Sequence, residues 1–243
     1  MTRILAIDTS SAWCSVALSL GEAEPAFRHQ PVTAGASQLL LPWIDDLLHE
    51  SRLALTDLDA IAIGIGPGAF TGVRLGVAVA QGLAVASNLP VIPVPSLDAI
   101  ATQLQMSAAF TAIQPKEYVI AIDARMDEIY WAKYQNLSLN SQPLRLGDIH
   151  LSSPEAINLD GAEYVAGSAI QAYADRLFMH QPFSIDRLDA NIGVSALGVL
   201  NCAIPKFACG KYVSVQDLEP LYIRDKVALT TVEREQVFQQ NQS

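Results

Sequence analysis

The chain has 243 residues, 51% of them hydrophobic and 16% charged, which excludes a largely disordered polymer and leaves room for one large domain or two small ones at roughly 150 residues per domain. Its 15 lysines and arginines face 25 acidic residues, a formal charge of −10, and the late basic residues Lys206, Lys211, Arg224 and Lys226 are only a thin scatter. No stripe exists with which the chain alone would displace counterions from RNA or DNA. Cys14, Cys202 and Cys209 show neither disulfide nor metal spacing, which points to a reducing, cytoplasmic compartment.

The first predicted element is Arg3–Asp8, an apolar strand closed by the turn formers Thr9, Ser10 and Ser11 and too short for a signal-peptide core. Cys14–Leu20 and a stretch from Gly21 to about Gln30 complete a three-stranded meander. Ser37–Glu50 places Leu40, Ile44, Leu47 and Leu48 at helical spacing, with Pro42 early enough to be tolerated. Leu58–Ile65 reads as a buried strand, Gly66-Pro67-Gly68 as a sharp turn, and Thr71–Ser87 as a helix of small residues. The apolar run in that helix, Leu75–Ala86, is about twelve residues where a membrane span needs about twenty. Val91–Val94 is a strand, and Ser96 is placed to cap the next helix, with Asp98 in its first turn.

A polar stretch from Thr111 to Lys116 precedes a second beginning. Val119-Ile-Ala-Ile-Asp123 matches Ile4-Leu-Ala-Ile-Asp8 at a constant offset that also sets Ala132 under Ala17. Strand, aspartate, turn and second strand in the same order indicate a duplicated unit. Strands to about Tyr134 and over Leu144–Leu151 follow. Tyr164–Ser168 turns into a helix ending near Phe178, and another helix covers Val194–Phe207. Glu219–Arg224 is extended, and the polar end from Glu233 is loose. We therefore expect a two-lobed α/β protein with lobes over residues 1–110 and 111–225 and a tail over 226–243.

A strand ending in aspartate before a Thr-Ser-Ser turn resembles the first phosphate loop of actin-like ATPases and sugar kinases. Asp8, Thr9, Ser10 and Asp123 are thus candidates for a nucleotide cleft. The second copy, Asp123–Glu128, lacks glycine, so backbone cannot easily approach a polyphosphate there, and the cleft is read as degenerate. Gly64–Gly76 matches neither a P-loop nor a dinucleotide fingerprint. Its Gly72 and Gly76, one helical turn apart, open a bare strip that Ala78, Ala80, Gly82, Ala84 and Ala86 continue. With so few polar positions, the helix is expected to pack on its own sheet on one side and on a partner subunit on the other. His29, His49, His150 and His180 form no i, i+4 pair, and no nucleophile elbow is present.

The strings Ile4–Thr9, Gly66–Arg74, Ala121–Met126 and Glu219–Arg224, in that order, resemble the bacterial TsaB (YeaZ) family. The resemblance covers about residues 3 to 228. It implies a duplicated actin-like fold of the ASKHA, ribonuclease H-like kind, and a role in forming N6-threonylcarbamoyladenosine at position 37 of tRNAs that read codons beginning with adenine. In that machinery the paralogue TsaD is the transferase. The TsaD helix that follows the small-residue helix and its strand carries His-x-x-x-His, two metal ligands. This chain has Ser96 and Ile100 at those positions, and isoleucine cannot coordinate. The resemblance thus implies a non-catalytic scaffold and activator of TsaD without cofactor or metal, acting with the ATPase TsaE, touching tRNA only through its partner and no membrane. It also implies association through the first two helices, with TsaD or, for the isolated chain, in a homodimer. Leu39, Trp43, Gly72, Gly76, Val77 and Ala80 are the residues we expect at that interface. A metallopeptidase and a sugar-kinase-like phosphotransferase are the alternatives, to be revived by stoichiometric metal or by ATP binding.

Overall fold

The computed structural model describes residues 2–21, 23–32, 35–137 and 141–224; the expected tail over 226–243 lies outside the described residues. Strands β1 (Ile4–Asp8), β2 (Trp13–Leu20) and β3 (Ala23–Pro31) form the meander. Helix α1 (Ala36–Glu50), strand β4 (Ala60–Gly64), helix α2 (Phe70–Ser87), strand β5 (Val91–Val94) and helices α3 (Ser96–Leu104) and α4 (Ala108–Ile113) complete the first half. The second half runs β6 (Glu117–Arg125), β7 (Glu128–Gln135), β8 (Leu144–Ser152), β9 (Tyr164–Ala166), α5 (Ala169–Leu177), β10 (Leu188–Asp189) and α6 (Ala196–Ala208).

The two sheets have the same construction. Their strand orders are β3-β2-β1-β4-β5 and β8-β7-β6-β9-β10, each with two antiparallel pairings followed by two parallel ones. Alternation along the central strands sets the layers. Leu5 and Ile7 join Leu40, Ile44, Val73 and Val77 in a core shared with α1 and α2. Ile4 and Ala6 face the other way, into a core built with Ile100 of α3, Val199 of α6 and Tyr118, Ile120 and Tyr134 of the second sheet. Val119 and Ala121 pack with Ile170 and Leu177 of α5 on the far side. The layers therefore run α1/α2, first sheet, α3/α6, second sheet, α5. Each fully buried Leu or Ile in them contributes roughly 1.5–3 kcal/mol. Chain order and spatial order part late: α6 packs against β1, β2, β4 and β5, and Val213 bridges Val91.

Three local expectations change. The repeat holds in topology but its residue alignment slips: Ala6 pairs with Ala17, whereas Ala132 pairs with Ile120, not Ala121. One residue of slip exchanges faces, so Ala6 lies in the central layer and Ala121 in the outer one. Ser96 does not cap α3. Pro95 occupies the N-cap with extended dihedrals, and Ser96 begins the helix, its N–H donating to the Gly66 carbonyl at 2.8 Å. Finally, α2 has 18 residues, long and apolar enough by length and composition to cross a membrane, more than the twelve-residue run indicated. Its inner side, Val73, Gly76, Val77, Ala80 and Ala84, is buried against the first sheet.

Candidate functional site

The end of β1 is closely packed against β4, the glycine loop and α3. Asp8 has no exposed surface. Its carboxylate accepts the Ser10 N–H at 3.0 Å and the Ser10 hydroxyl at 2.9 Å, and the Ser10 and Ser96 hydroxyls lie 3.1 Å apart. Burial lifts Asp8 from 3.8 to about 7, against the lowering effect of the Ser10 bonds. The neighbouring β4 ends in glycine for a direct reason: a Cβ on Gly64 would lie 2.0 Å from Asp8 Oδ2. Ile100, one turn along α3 from Ser96, is fully buried in the central core.

The glycines of the 64–76 string serve this turn. A Cβ on Gly68 would meet the Ser10 carbonyl at 2.2 Å, and one on Gly72 the Thr9 carbonyl at 1.9 Å. The Ala69 N–H donates to the Ser10 carbonyl at 2.7 Å, and the Thr9 hydroxyl donates to the Gly72 carbonyl at 2.6 Å. The close approach that a phosphate loop keeps for an anion is used here by carbonyl oxygens of the same chain. A nucleotide phosphate does not fit that arrangement, since it needs donors where these carbonyls stand.

Asp123 is not part of this network. It accepts from the Tyr173 hydroxyl of α5 at 3.1 Å and from the Arg125 N–H at 2.8 Å, and pairs with the Arg125 guanidinium at 3.1 Å. Asp8 leads through Ser10 to α3, in the central layer, and Asp123 leads to α5, in the outer one. The structure thus assembles Asp8, Thr9, Ser10 and Ser96 and leaves Asp123 elsewhere, because of the one-residue slip.

Four of the expected interface residues, Gly72, Gly76, Val77 and Ala80, lie on the side of α2 that faces the first sheet. Gly76 would bring a Cβ to 2.8 Å from Thr9 Oγ1 and 3.0 Å from Ile63 Cδ1, and Val77 and Ala80 are buried. With Gly72 they form the inward strip, so the close backbone approach is made within the chain. Leu39 and Trp43 are half-buried against the same core. The outward side of α2 is a different set: Ala78, Gly82, Val85 and Ala86 are exposed, a Cβ on Gly82 would meet nothing within 4 Å, and Val85 is 68% exposed.

Sequence reasoning missed Arg74, Tyr222 and Arg224, although each ends or lies within a string that was singled out. Leu221 N–H donates to the Ile65 carbonyl at 2.8 Å, seating the late segment on the glycine loop. Arg74 Nε donates to the Tyr222 hydroxyl at 2.9 Å, and its guanidinium lies 3.7 Å from the Phe70 ring centre. Arg224 crosses to the second sheet, donating to the Ala124 carbonyl at 3.2 Å and pairing with Glu128. Three of the four strings therefore meet around a cavity of about 230 Å³ between the glycine loop, residues 221–224 and Tyr130, and the first string joins them through the bond from Thr9 to the Gly72 carbonyl.

Comparison with known proteins shows which family the chain belongs to. The family model described as TsaD, tRNA N6-adenosine threonylcarbamoyltransferase, matches residues 32–229. The Escherichia coli K12 protein described as "tRNA threonylcarbamoyladenosine biosynthesis protein TsaB" is 36% identical over 93% of this chain and 96% of its own length. Its Haemophilus influenzae counterpart of the same name is 36% identical over 92% and 94%. The solved structure of YeaZ from Pseudomonas aeruginosa superposes with a TM-score of 0.79 at 35% identity, over 92% of this chain and all of that one. The chain belongs to the TsaB (YeaZ) family. Its two-lobed α/β architecture is accordingly the actin-like fold of that family, and the strings that meet around Arg74 and Arg224 are those that carried the resemblance.

Proposed function

We propose that the chain is the non-catalytic subunit of the machinery that forms N6-threonylcarbamoyladenosine at position 37 of tRNAs reading codons that begin with adenine. It docks on TsaD and works with TsaE, and it pairs with itself when alone. The observation that carries this reading is its near full-length kinship with proteins named for tRNA threonylcarbamoyladenosine biosynthesis. The site is in keeping with it. Where the resemblance puts a histidine pair in TsaD, this chain has a hydroxyl bonded inside the fold and Ile100, a side chain without a donor atom. The acidic balance of the chain suits a subunit that leaves tRNA to its partner. Docking falls to the exposed apolar side of α2, Ala78, Gly82, Val85 and Ala86, with Leu41 of α1, which is 50% exposed. TsaD is activated when this surface binds its active arrangement better than its idle one.

The experiment is reconstitution of tRNA modification from TsaD, TsaE, the threonylcarbamoyl donor and ATP, with and without this chain. Product is expected only when the chain is present, and the chain alone is expected to give none. Equal yield in its absence would refute the proposal.

A further inference from the structure

A second cavity, of about 420 Å³, opens between α3, the start of β8 and the end of α6, and shares no residue with the Asp8 network or with the outward side of α2. Its size falls in the range of small-molecule sites, roughly 300–1,000 Å³. Its charge is opposite to that of the whole chain: Arg145, Lys206 and Lys211 line it against the single acid Asp98. That acid is already spent. Asp98 Oδ1 accepts Arg145 Nη1 at 2.9 Å and the Tyr134 hydroxyl at 2.8 Å. Two lysines remain, and neither forms an ion pair among the described residues.

The ordinary explanation for lysines at a helix end is attraction to its last carbonyls. It does not account for these. Lys206 Nζ instead reaches the Pro93 carbonyl on β5, at 3.3 Å, and Lys211, exposed, makes no side-chain hydrogen bond among the described residues. Among the described residues the cavity is therefore lined by two lysines without a carboxylate partner, Lys206 with one carbonyl bond and Lys211 with no side-chain bond, each a point-charge donor of the kind that holds phosphate. Beside them are the apolar surfaces of Leu144 and Pro205. We propose that this cavity binds a small organic phosphate, its phosphoryl group held by Lys206 and Lys211 and its body lying against Leu144 and Pro205.

The test uses Cys209, which lines the same cavity and is exposed, while Cys14 and Cys202 are buried. Iodoacetamide, which is neutral, is allowed to alkylate the folded chain with pyrophosphate as the probe and citrate as a carboxylate control at matched ionic strength, and labelling is followed by intact mass. Pyrophosphate is expected to slow alkylation of Cys209. Lys211→Gln, which removes no internal bond, is expected to raise the concentration giving half-protection by at least about tenfold. Absence of protection, or protection unchanged in Lys211→Gln, overturns the site. Protection by citrate equal to that by pyrophosphate overturns the assignment to phosphate.

Discussion

Asp8 is fully buried and bonded by Ser10 alone among the described residues, with no cation beside it. Burial raises its folded value to about 7 from 3.8, so the favourable, protonated state is complete at low pH and is lost as pH rises through about 7. The chain should therefore lose stability between pH 5 and 8 by about 3 kcal/mol from this group. Asp8→Asn keeps an acceptor for the Ser10 N–H and should remove that part of the slope. Urea unfolding of both proteins at the two pH values measures it, and parallel slopes would contradict the burial argument. The importance of Asp8 was legible in the sequence, because a strand ending in aspartate before Thr-Ser-Ser is an uncommon string. Its direction was not. Matching Ala-Ile-Asp triplets says nothing of strand pairing, and a slip of one residue sends Asp123 to α5 instead of into the same cleft.

At the scale of the element, α2 shows what small residues leave open. Gly72 and Gly76 announced close approach, and the structure supplies the partner: the Thr9 carbonyl and the Ile63 side chain of the same chain. Gly82 lies on the other side, in open space. With apolar residues around most of the helix, no polar stripe marks which side meets the sheet, so periodicity could not orient it. Two substitutions separate the sides. Gly76→Leu overpacks the turn and should cost about 3 kcal/mol or more in stability. Gly82→Leu meets nothing and gains helix propensity, which should add about 0.5–1 kcal/mol while abolishing association with TsaD. Thermal unfolding checks the first expectation and calorimetric titration with TsaD the second. Wild-type affinity in Gly82→Leu would remove this side of α2 from the interface.

Across the whole molecule, the strap over residues 219–224 couples the glycine loop to the second sheet. The four strings were readable one by one, but their meeting was not, since Arg224 lies far along the chain from both Ile65 and Ala124 and only the tertiary fold joins them. Arg224→Ala removes the pairing with Glu128 and the bond to the Ala124 carbonyl. It should destabilise the chain by about 2 kcal/mol and increase hydrogen exchange at Ala124–Glu128. Unchanged exchange there would mean that the strap does not hold the second sheet.

The elements in chain order and the duplicated α/β class were legible because they rest on local runs and turns; the order of strands within each sheet and the assignment of faces were not, because they depend on pairing and register. The central claim, that this subunit acts by docking and not by chemistry at its inherited site, is met most directly by yield of threonylcarbamoyl-tRNA from TsaD and TsaE supplied with folded variants of this chain. Asp8→Asn should sustain the wild-type yield, and Gly82→Leu should reduce it to that of the reaction without the subunit. Loss of yield with Asp8→Asn alongside full yield with Gly82→Leu would contradict the claim.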